Sequence, residues 1–172
     1  MSPFFPRLLL VLSAAVGLAV HAQQGPSDPQ IAQIVVTANQ VDVDAGKLAV
    51  ARAASKDVKQ FAQQMITDHT AVNQQAVALV TKLKVKPEPS DTSRSLQKGG
   101  DDNLARLKTL KGAQFDKAYV EQEVAYHQVV LDAIDKVLLP SAKNAELKAL
   151  IVKVRPAIAA HLEHARHLQA QL

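Results

Sequence analysis

Apolar residues recur at alternating intervals of three and four positions along four long segments of the 172-residue chain, a pattern that is typical of amphipathic helices. The first predicted helix begins at the capping residue Ser27, which Pro29 soon follows, and reaches about Ala54. The second begins at Ser55, which can cap it, and ends before the proline-rich segment that starts with Pro87. These two helices are therefore predicted to form an antiparallel pair that turns at Ser55.

The second half of the chain shows the same apolar pattern. A third long helix is predicted from Gly112 to Pro140, and a last one from about Asn144 to the C-terminus. Pro156 lies inside the last helix and is expected to bend it, because a proline leaves a backbone carbonyl without its usual partner. The two helices form a second predicted pair.

Residues 87–112 separate the two pairs and carry only a modest apolar pattern. The adjacent Gly99 and Gly100 interrupt this segment, so we expect a long crossover that contains short helices. A crossover of this length allows the second and third long helices to run either parallel or antiparallel. Four long helices with one narrow apolar seam each pack best as a left-handed bundle, so the sequence predicts an all-α, four-helix-bundle fold.

The first residues of the chain have the features of a signal peptide. Arg7 is followed by an uncharged run over residues 8–20 and then by a small-x-small cleavage site that ends at Ala22. The run is shorter than the roughly 20 residues of a membrane span, and no second long apolar run follows. We expect a signal peptide over residues 1–22, a helical domain over residues 23–172 without a transmembrane segment, and export to the periplasm.

Composition narrows the function further. The chain has no Cys, which excludes disulfide scaffolds and thiol enzymes, and only 3% of its residues are aromatic, too few for a base-stacking surface. The formal net charge of +4 comes from scattered lysines and arginines, so we expect no nucleic-acid partner. No nucleophile motif, phosphate-binding loop or zinc-protease signature is present, so we expect no enzyme activity. A protein partner or an association with the cell envelope is left open.

Each apolar seam contains one polar residue. The polar members are His69, His127 and His161 on the second, third and last long helices, and Asp42 on the first. A competing, wholly apolar series on the first helix would move Asp42 to the edge of the seam. Asp42 lies 13 residues before the turn at Ser55 and His69 lies 14 after it, so the two are predicted to lie at the same height.

The second pair of helices repeats this arrangement. With a turn near Ala142, His127 lies 15 residues before the turn and His161 lies 19 after it, an offset of roughly 6 Å along the helix axis. Glu123 lies 19 residues before the turn, level with His161 and one helical turn from His127. Three imidazoles and two carboxylates are thus predicted to share one buried layer. Imidazole and carboxylate ligands without thiolates suit a single Zn, Cu(II), Ni or Fe ion, so we predict a metal site formed by His69, His127, His161, Glu123 and Asp42.

Two other hypotheses account for the same layer. In the first, the layer holds no metal and only fixes the register of the helices, as in a structural or stress-related interaction protein. In the second, two seam histidines hold a b-type haem, although few aromatic residues are available to flank a porphyrin. Asp68 and Asp44 stand beside the predicted site, where they orient an imidazole or are plain surface charges. His164 and His167 are expected to lie toward the polar side of the last helix.

Several ordered motifs resemble those of a bacterial domain-of-unknown-function family, which is described as "predicted outer membrane protein" and assigned a ferritin-like fold. The resemblance covers nearly all of the chain after the signal peptide. The matching segments are VDVDAGKLA at 41–49, VKQFA at 58–62, MITDHT at 65–70, FDKAY at 115–119, His127, and the segment 156–162 that ends in His161-Leu162. The resemblance implies a ferritin-like helical bundle in an exported protein of unestablished activity.

A di-iron centre is not expected. Di-iron carboxylate bundles take a Glu-x-x-His motif from each of two helices. In this chain the residues three positions before the seam histidines are apolar: Ile66, Val124 and Ile158. The sequence therefore favours a mononuclear site or no metal over di-iron oxidase chemistry.

Overall fold

A computed structural model of the protein describes residues 25–172, and this part of the chain is all-helical, without a β-strand. A π-helical turn, Ile134–Leu138, and the short helix α5, Leu139–Ser141, follow the fourth long helix. The predicted signal peptide, residues 1–22, lies outside the described residues. The five long helices are α1 (Asp28–Arg52), α2 (Lys56–Lys82), α3 (Asp91–Lys108), α4 (Gly112–Ala133) and α6 (Ala145–Gln169).

Three of the long helices begin at the caps that the sequence predicts. The Ser27 hydroxyl accepts a hydrogen bond from the backbone N–H of Gln30 at α1, and Ser55 accepts one from Val58 at α2. The side chain of Asn144 accepts two backbone hydrogen bonds at the start of α6. These oxygens satisfy N–H groups that have no partner within the helix, which fixes the helix boundaries.

The crossover differs from the prediction of short helices, because it forms one 18-residue helix, α3. Both Gly99 and Gly100 lie inside α3. A Cβ at position 100 would lie 2.7 Å from Cγ2 of Val41, so the glycine allows α3 to pack closely on α1. The glycine pair therefore permits a close helix contact and does not interrupt the helix.

The direction of α4, which the sequence leaves open, follows from two contacts with α1. The Tyr126 hydroxyl donates to the carbonyl of Ala38, and the Asp116 carboxylate accepts from the N–H of Ala54. The later residues of α4 thus contact the earlier residues of α1, so the two helices run antiparallel. Because α2 also turns back along α1, α2 and α4 run parallel.

Aspartates fix the turns at both ends of the molecule. The buried Asp116 accepts hydrogen bonds from the backbone N–H groups of Ala54 and Ser55, at 2.9 and 2.8 Å, where α1 turns into α2. At the opposite end Asp28 accepts two bonds of 2.9 Å from the backbone of residues 143–144, just before α6. Each helix pair therefore carries an aspartate that holds the turn of the other pair.

The helical run after α4 ends close to the predicted Pro140. It continues through the π-helical turn to Ser141, and the N–H of Leu139 donates to the carbonyl of Ile134 across the wider turn. α6 runs through Pro156 without interruption.

Two apolar cores lie on either side of a polar layer. The first core lies toward the α1–α2 turn and is built around Phe61, Phe115 and Tyr119. The second lies toward the start of α6 and includes Ile31 and Ile151. Each of α1, α2, α4 and α6 carries at least one buried polar residue between the two cores, which places the candidate site in the middle of the molecule.

Candidate metal centre

The structure brings the five residues of the predicted site together between the two apolar cores. The centroids of the three imidazole rings are 5.2–5.6 Å apart. Each of the five residues is at most 4% exposed, so the layer is shielded from solvent. The residues are Asp42 on α1, His69 on α2, Glu123 and His127 on α4, and His161 on α6.

A chain of two hydrogen bonds orients the ring of His69. The Asn39 side chain donates from Nδ2 to the carbonyl of Val35 at 2.7 Å, which turns its Oδ1 toward α2. His69 Nδ1 lies 2.7 Å from this Oδ1 and donates its proton to it. The neutral ring therefore presents the lone pair of Nε2 to the centre of the layer.

The other two rings are oriented in the same way by different partners. His127 donates from Nδ1 to the carbonyl of Glu123 at 2.9 Å, which leaves Nε2 as the free nitrogen. His161 donates from Nε2 to Oδ2 of Asp68 at 2.9 Å, which leaves Nδ1 free. The three free nitrogens are buried and have no hydrogen-bond partner within the described residues. Each ring thus has one nitrogen bound outward and one facing the layer.

The three imidazole rings are close enough together to bind a single cation. One nitrogen of each ring lies within 4.8 Å of those of the other two. If three atoms lie within 4.8 Å of one another, a point exists that is no more than 4.8 Å divided by √3, about 2.8 Å, from each of them. Zinc–imidazole bonds measure about 2.0–2.1 Å. Binding an ion therefore requires shifts of less than about 1 Å, which side-chain torsions can supply.

Two carboxylates complete the layer. Oδ2 of Asp42 lies 3.1 Å from Nε2 of His69 and 3.4 Å from Nε2 of His127. Both oxygens of Asp42 and Oε2 of Glu123 are buried without a hydrogen-bond partner in the described part of the chain. Asp42, Glu123 and His127 also offer ligand atoms within 4.8 Å of one another. The carboxylates therefore add oxygen ligands beside the three nitrogens.

Burial changes the protonation of the layer. Desolvation, strengthened by the two neighbouring histidines, lowers the pKa of His69 to about 2, and desolvation lowers the pKa of His127 to about 4. It also lowers the pKa of His161. Neutral imidazole is the form that binds metals, so no proton has to leave these rings at neutral pH.

The carboxyl groups shift in the opposite direction. Burial raises the pKa of Asp42 to about 7, although the neighbouring carboxyl group of Glu123 lowers it somewhat. Burial, followed by the nearby charge of Asp42, raises the pKa of Glu123 well above its usual range. The layer therefore holds protons at neutral pH that an incoming cation would displace.

Of the other candidate residues from the sequence, one contacts the site and three do not. Asp68 contacts the site through His161, although its own side chain is 41% exposed. Asp44 instead forms an exposed ion pair with Lys47. His164 is half-buried with its ring edge against Phe61, outside the layer, and His167 is exposed.

Asn39 is the one orienting residue that the sequence interpretation missed. It carries no charge and does not ligate metals strongly, so a search for titratable residues passes over it. Its position three residues before Asp42, one helical turn away on the same face, was the available signal. An amide at that spacing is well placed to orient a histidine on the facing helix.

A cleft of about 490 Å³ between α1, α3 and α4 leads toward the carboxylate side of the layer. Asp42 and Glu123 belong to its wall, and α3 contributes neutral polar groups such as Thr92 and Ser95. None of the residues that line it is a Lys or an Arg. This side is therefore suited to the entry of a cation.

Fold and site together define an all-helical protein with a buried layer of three histidines and two carboxylates that are able to hold a metal ion. Over residues 14–168 the chain matches the family described as Domain of unknown function (DUF4142), and it belongs to that family. No curated protein and no solved structure matches the chain. Within residues 25–172, no helix combines the length and the apolar character that a membrane crossing requires.

Proposed function

We propose that the protein binds one transition-metal ion in the buried layer. The observation that carries this proposal is the arrangement of three imidazoles, each with one nitrogen bound outward and the other free. Burying partnerless polar atoms costs about 1–3 kcal/mol each, and the layer contains several of them. A cation at their centre would satisfy these atoms together.

The proposed ligands are Nε2 of His69, Nε2 of His127 and Nδ1 of His161, with a carboxylate oxygen from Asp42 or Glu123. Nitrogen and oxygen ligands of this kind suit Zn, Cu(II), Ni or Fe. Asn39 and Asp68 would act as the outer partners that hold two of the rings in position. No catalytic residue is assigned, because no nucleophile accompanies the layer.

We further propose a ferritin-like four-helix bundle built from α1, α2, α4 and α6, with α3 in the crossover. The parallel direction of α2 and α4 supports it, because parallel neighbours in sequence require one long crossover, as in ferritin-like folds. The uncharged run after Arg7 supports export of the chain by a signal peptide over residues 1–22. The proposed location is the periplasm, where an exported protein of this family could also associate with the envelope.

A second candidate function is a metal-free layer that fixes helix register in a structural or stress-related interaction protein. The position of Asp42 favours it. With a pKa near 7, its carboxyl group can keep a proton and donate it toward Nε2 of His69, 3.1 Å away. This arrangement would satisfy one of the three free nitrogens without a metal and would leave the other two unpaired.

Elemental analysis distinguishes the two functions. The tag-free protein, isolated from the periplasm, is compared with His69→Ala/His127→Ala, and with His164→Ala/His167→Ala as a control that removes two histidines outside the layer. The metal proposal expects close to one metal ion per chain in the wild type and the control, and none in a helical His69→Ala/His127→Ala variant. A wild type that takes up no Zn, Cu, Ni or Fe, even after reconstitution, would instead support the metal-free layer.

A further inference from the structure

A cavity of about 120 Å³ lies beside the imidazoles, on the side that faces the second apolar core. His69 and His127 are among the residues that line it. The surface that faces the cavity is apolar throughout. Its other walls include Val35, Ala38, Leu96, Val130, Ala133 and Ile158.

The π-helical turn forms part of the cavity wall. α4 is regular up to Ala133, and the wider turn then begins at Ile134. Ile134 and Leu138, the first and last residues of the turn, both line the cavity. π-helical turns inside α-helices are frequently found at functional sites. The π-helical turn that follows α4 therefore lies at the cavity.

The cavity does not suit water. A buried water needs two to four polar partners, and a dry apolar cavity of roughly 150 Å³ binds benzene or xenon. The Tyr126 hydroxyl donates to Ala38, and the oxygen of Asn39 accepts from His69. The unpartnered Nε2 atoms of His69 and His127 and the oxygens of Asp42 contribute nothing to the surface that faces the cavity, because that surface is apolar throughout. An apolar molecule would gain contacts here that water cannot make.

We propose that this cavity binds one small apolar molecule, no larger than benzene, in direct contact with the imidazole rings of His69 and His127. The path to it is short, because Val129 lines the cavity and is 59% exposed at the surface of α4. Leu96 of α3 lines the same side. A ligand would enter between α3 and α4.

Xenon and benzene are the probes. Crystals of the wild type under xenon pressure are expected to show one xenon peak in the cavity, within van der Waals distance of Ile134 and Ile158. In solution, benzene is expected to raise the melting temperature of the protein, because a ligand that binds only the folded state stabilises it. Absence of a xenon peak from the cavity, or of a benzene-dependent shift, would overturn the proposal.

A matched pair of variants locates the benzene site. Ala133→Leu places a larger side chain in the cavity, whereas Ala125→Leu makes the same change at an exposed position of α4 that does not line it. Ala133→Leu is expected to weaken benzene binding by about tenfold or more, since it removes the space that the ligand occupies, and Ala125→Leu to leave it unchanged. Equal benzene binding by both variants would contradict the assignment.

The cavity does not depend on the metal proposal. Xenon and benzene are measured on chelator-treated protein as well as on metal-loaded protein, and binding is expected in both. A protein that binds no metal but does bind xenon would therefore overturn the proposed function and leave the cavity proposal standing. Metal binding without xenon binding would overturn the cavity proposal and leave the proposed function standing.

Discussion

Nε2 of His69 lies 3.1 Å from Oδ2 of Asp42, and neither atom has a hydrogen-bond partner in the described structure. Because Nδ1 of His69 already donates to Asn39, Nε2 carries a lone pair that faces the carboxylate. Two acceptors at this distance repel each other unless a proton or a cation lies between them. Burial raises the pKa of Asp42 to about 7, so a proton can lie between the two atoms at neutral pH, and a bound metal ion would remove the same repulsion.

The first prediction concerns the pH dependence of stability in the metal-free protein. The carboxyl group of a free Asp has a pKa of about 3.9, whereas that of Asp42 in the folded protein has a pKa of about 7. Between about pH 4 and 7, Asp42 is therefore ionised in the unfolded chain and protonated in the folded protein. Asp42 therefore destabilises the fold as the pH rises through this range, by at most about 1.4 kcal/mol per pH unit. Asp42→Asn removes this effect, so its stability relative to the wild type should rise from pH 4 to 7.

Urea unfolding at a series of pH values measures this difference. The buried histidines act in the opposite direction in both proteins, because their lowered pKa values favour the fold as the pH rises toward 6.5, so the difference between the two proteins is compared and not the slope of either. Asp44→Asn, which changes an exposed carboxylate two residues away, is the control. A stability difference between Asp42→Asn and the wild type that stays constant from pH 4 to 7 would refute the explanation.

The second prediction concerns Asn39 as the residue that orients His69. Asn39→Ala removes the acceptor of the Nδ1 proton, so the ring loses its fixed orientation and a buried donor loses its partner. We expect metal affinity to fall by about 10- to 100-fold, the usual effect of removing an outer partner of a metal-binding histidine. Metal titration of Gln40→Ala, the same kind of change at the exposed neighbouring residue, should give the wild-type affinity. Equal affinities for both variants would show that Asn39 has no such role.

Much of the fold and the five candidate site residues could be predicted, because two geometric rules suffice. The 3.6-residue period places His69, His127 and His161 on inward faces, and the 1.5 Å rise per residue places Asp42 level with His69 and Glu123 level with His161. The sequence left Asp42 between the seam and its edge. In the structure Asp42 is buried, because α3 also packs on α1 and widens the covered face of that helix.

Other features could not be predicted from the same rules. Gly99 and Gly100 lower helix propensity, but packing against Val41 outweighs that cost, so α3 continues through them. The π-helical turn after α4 leaves the spacing of apolar residues almost unchanged and gives no sequence signal. The role of Asn39 depends on where α2 lies, which is a tertiary property.

The third prediction separates the two glycines of α3. A methyl group at position 99 meets nothing within 4 Å, whereas one at position 100 would lie 2.7 Å from Val41. Gly99→Ala should raise the free energy of unfolding by about 0.5–1 kcal/mol, because alanine loses less entropy in a helix. Gly100→Ala should lower it by about 1–3 kcal/mol through overpacking. Denaturant unfolding measures both values. If the two variants change the free energy of unfolding in the same direction, the close contact between α3 and α1 is contradicted.

The fourth prediction concerns Asp116 at the end of the molecule. Asp116→Ala leaves the N–H groups of Ala54 and Ser55 without their acceptor, so the free energy of unfolding should fall by at least about 2 kcal/mol. Asp116→Asn keeps one acceptor oxygen, so its free energy of unfolding should fall by less. Because Asp116 does not contact the polar layer, the folded Asp116→Asn variant should keep wild-type metal stoichiometry. Loss of metal from folded Asp116→Asn would argue against this separation of stability and site.

The most direct test of the metal proposal is an anomalous-diffraction map of crystals grown with Zn²⁺. One peak is expected in the polar layer, coordinated by Nε2 of His69, Nε2 of His127 and Nδ1 of His161, with an oxygen of Asp42 or Glu123 as a further ligand. Coordination of His161 through Nδ1 is the sharpest expectation, because its Nε2 is bound to Asp68. Zinc found only outside the layer, or a layer with three unligated imidazoles, would contradict the proposed site.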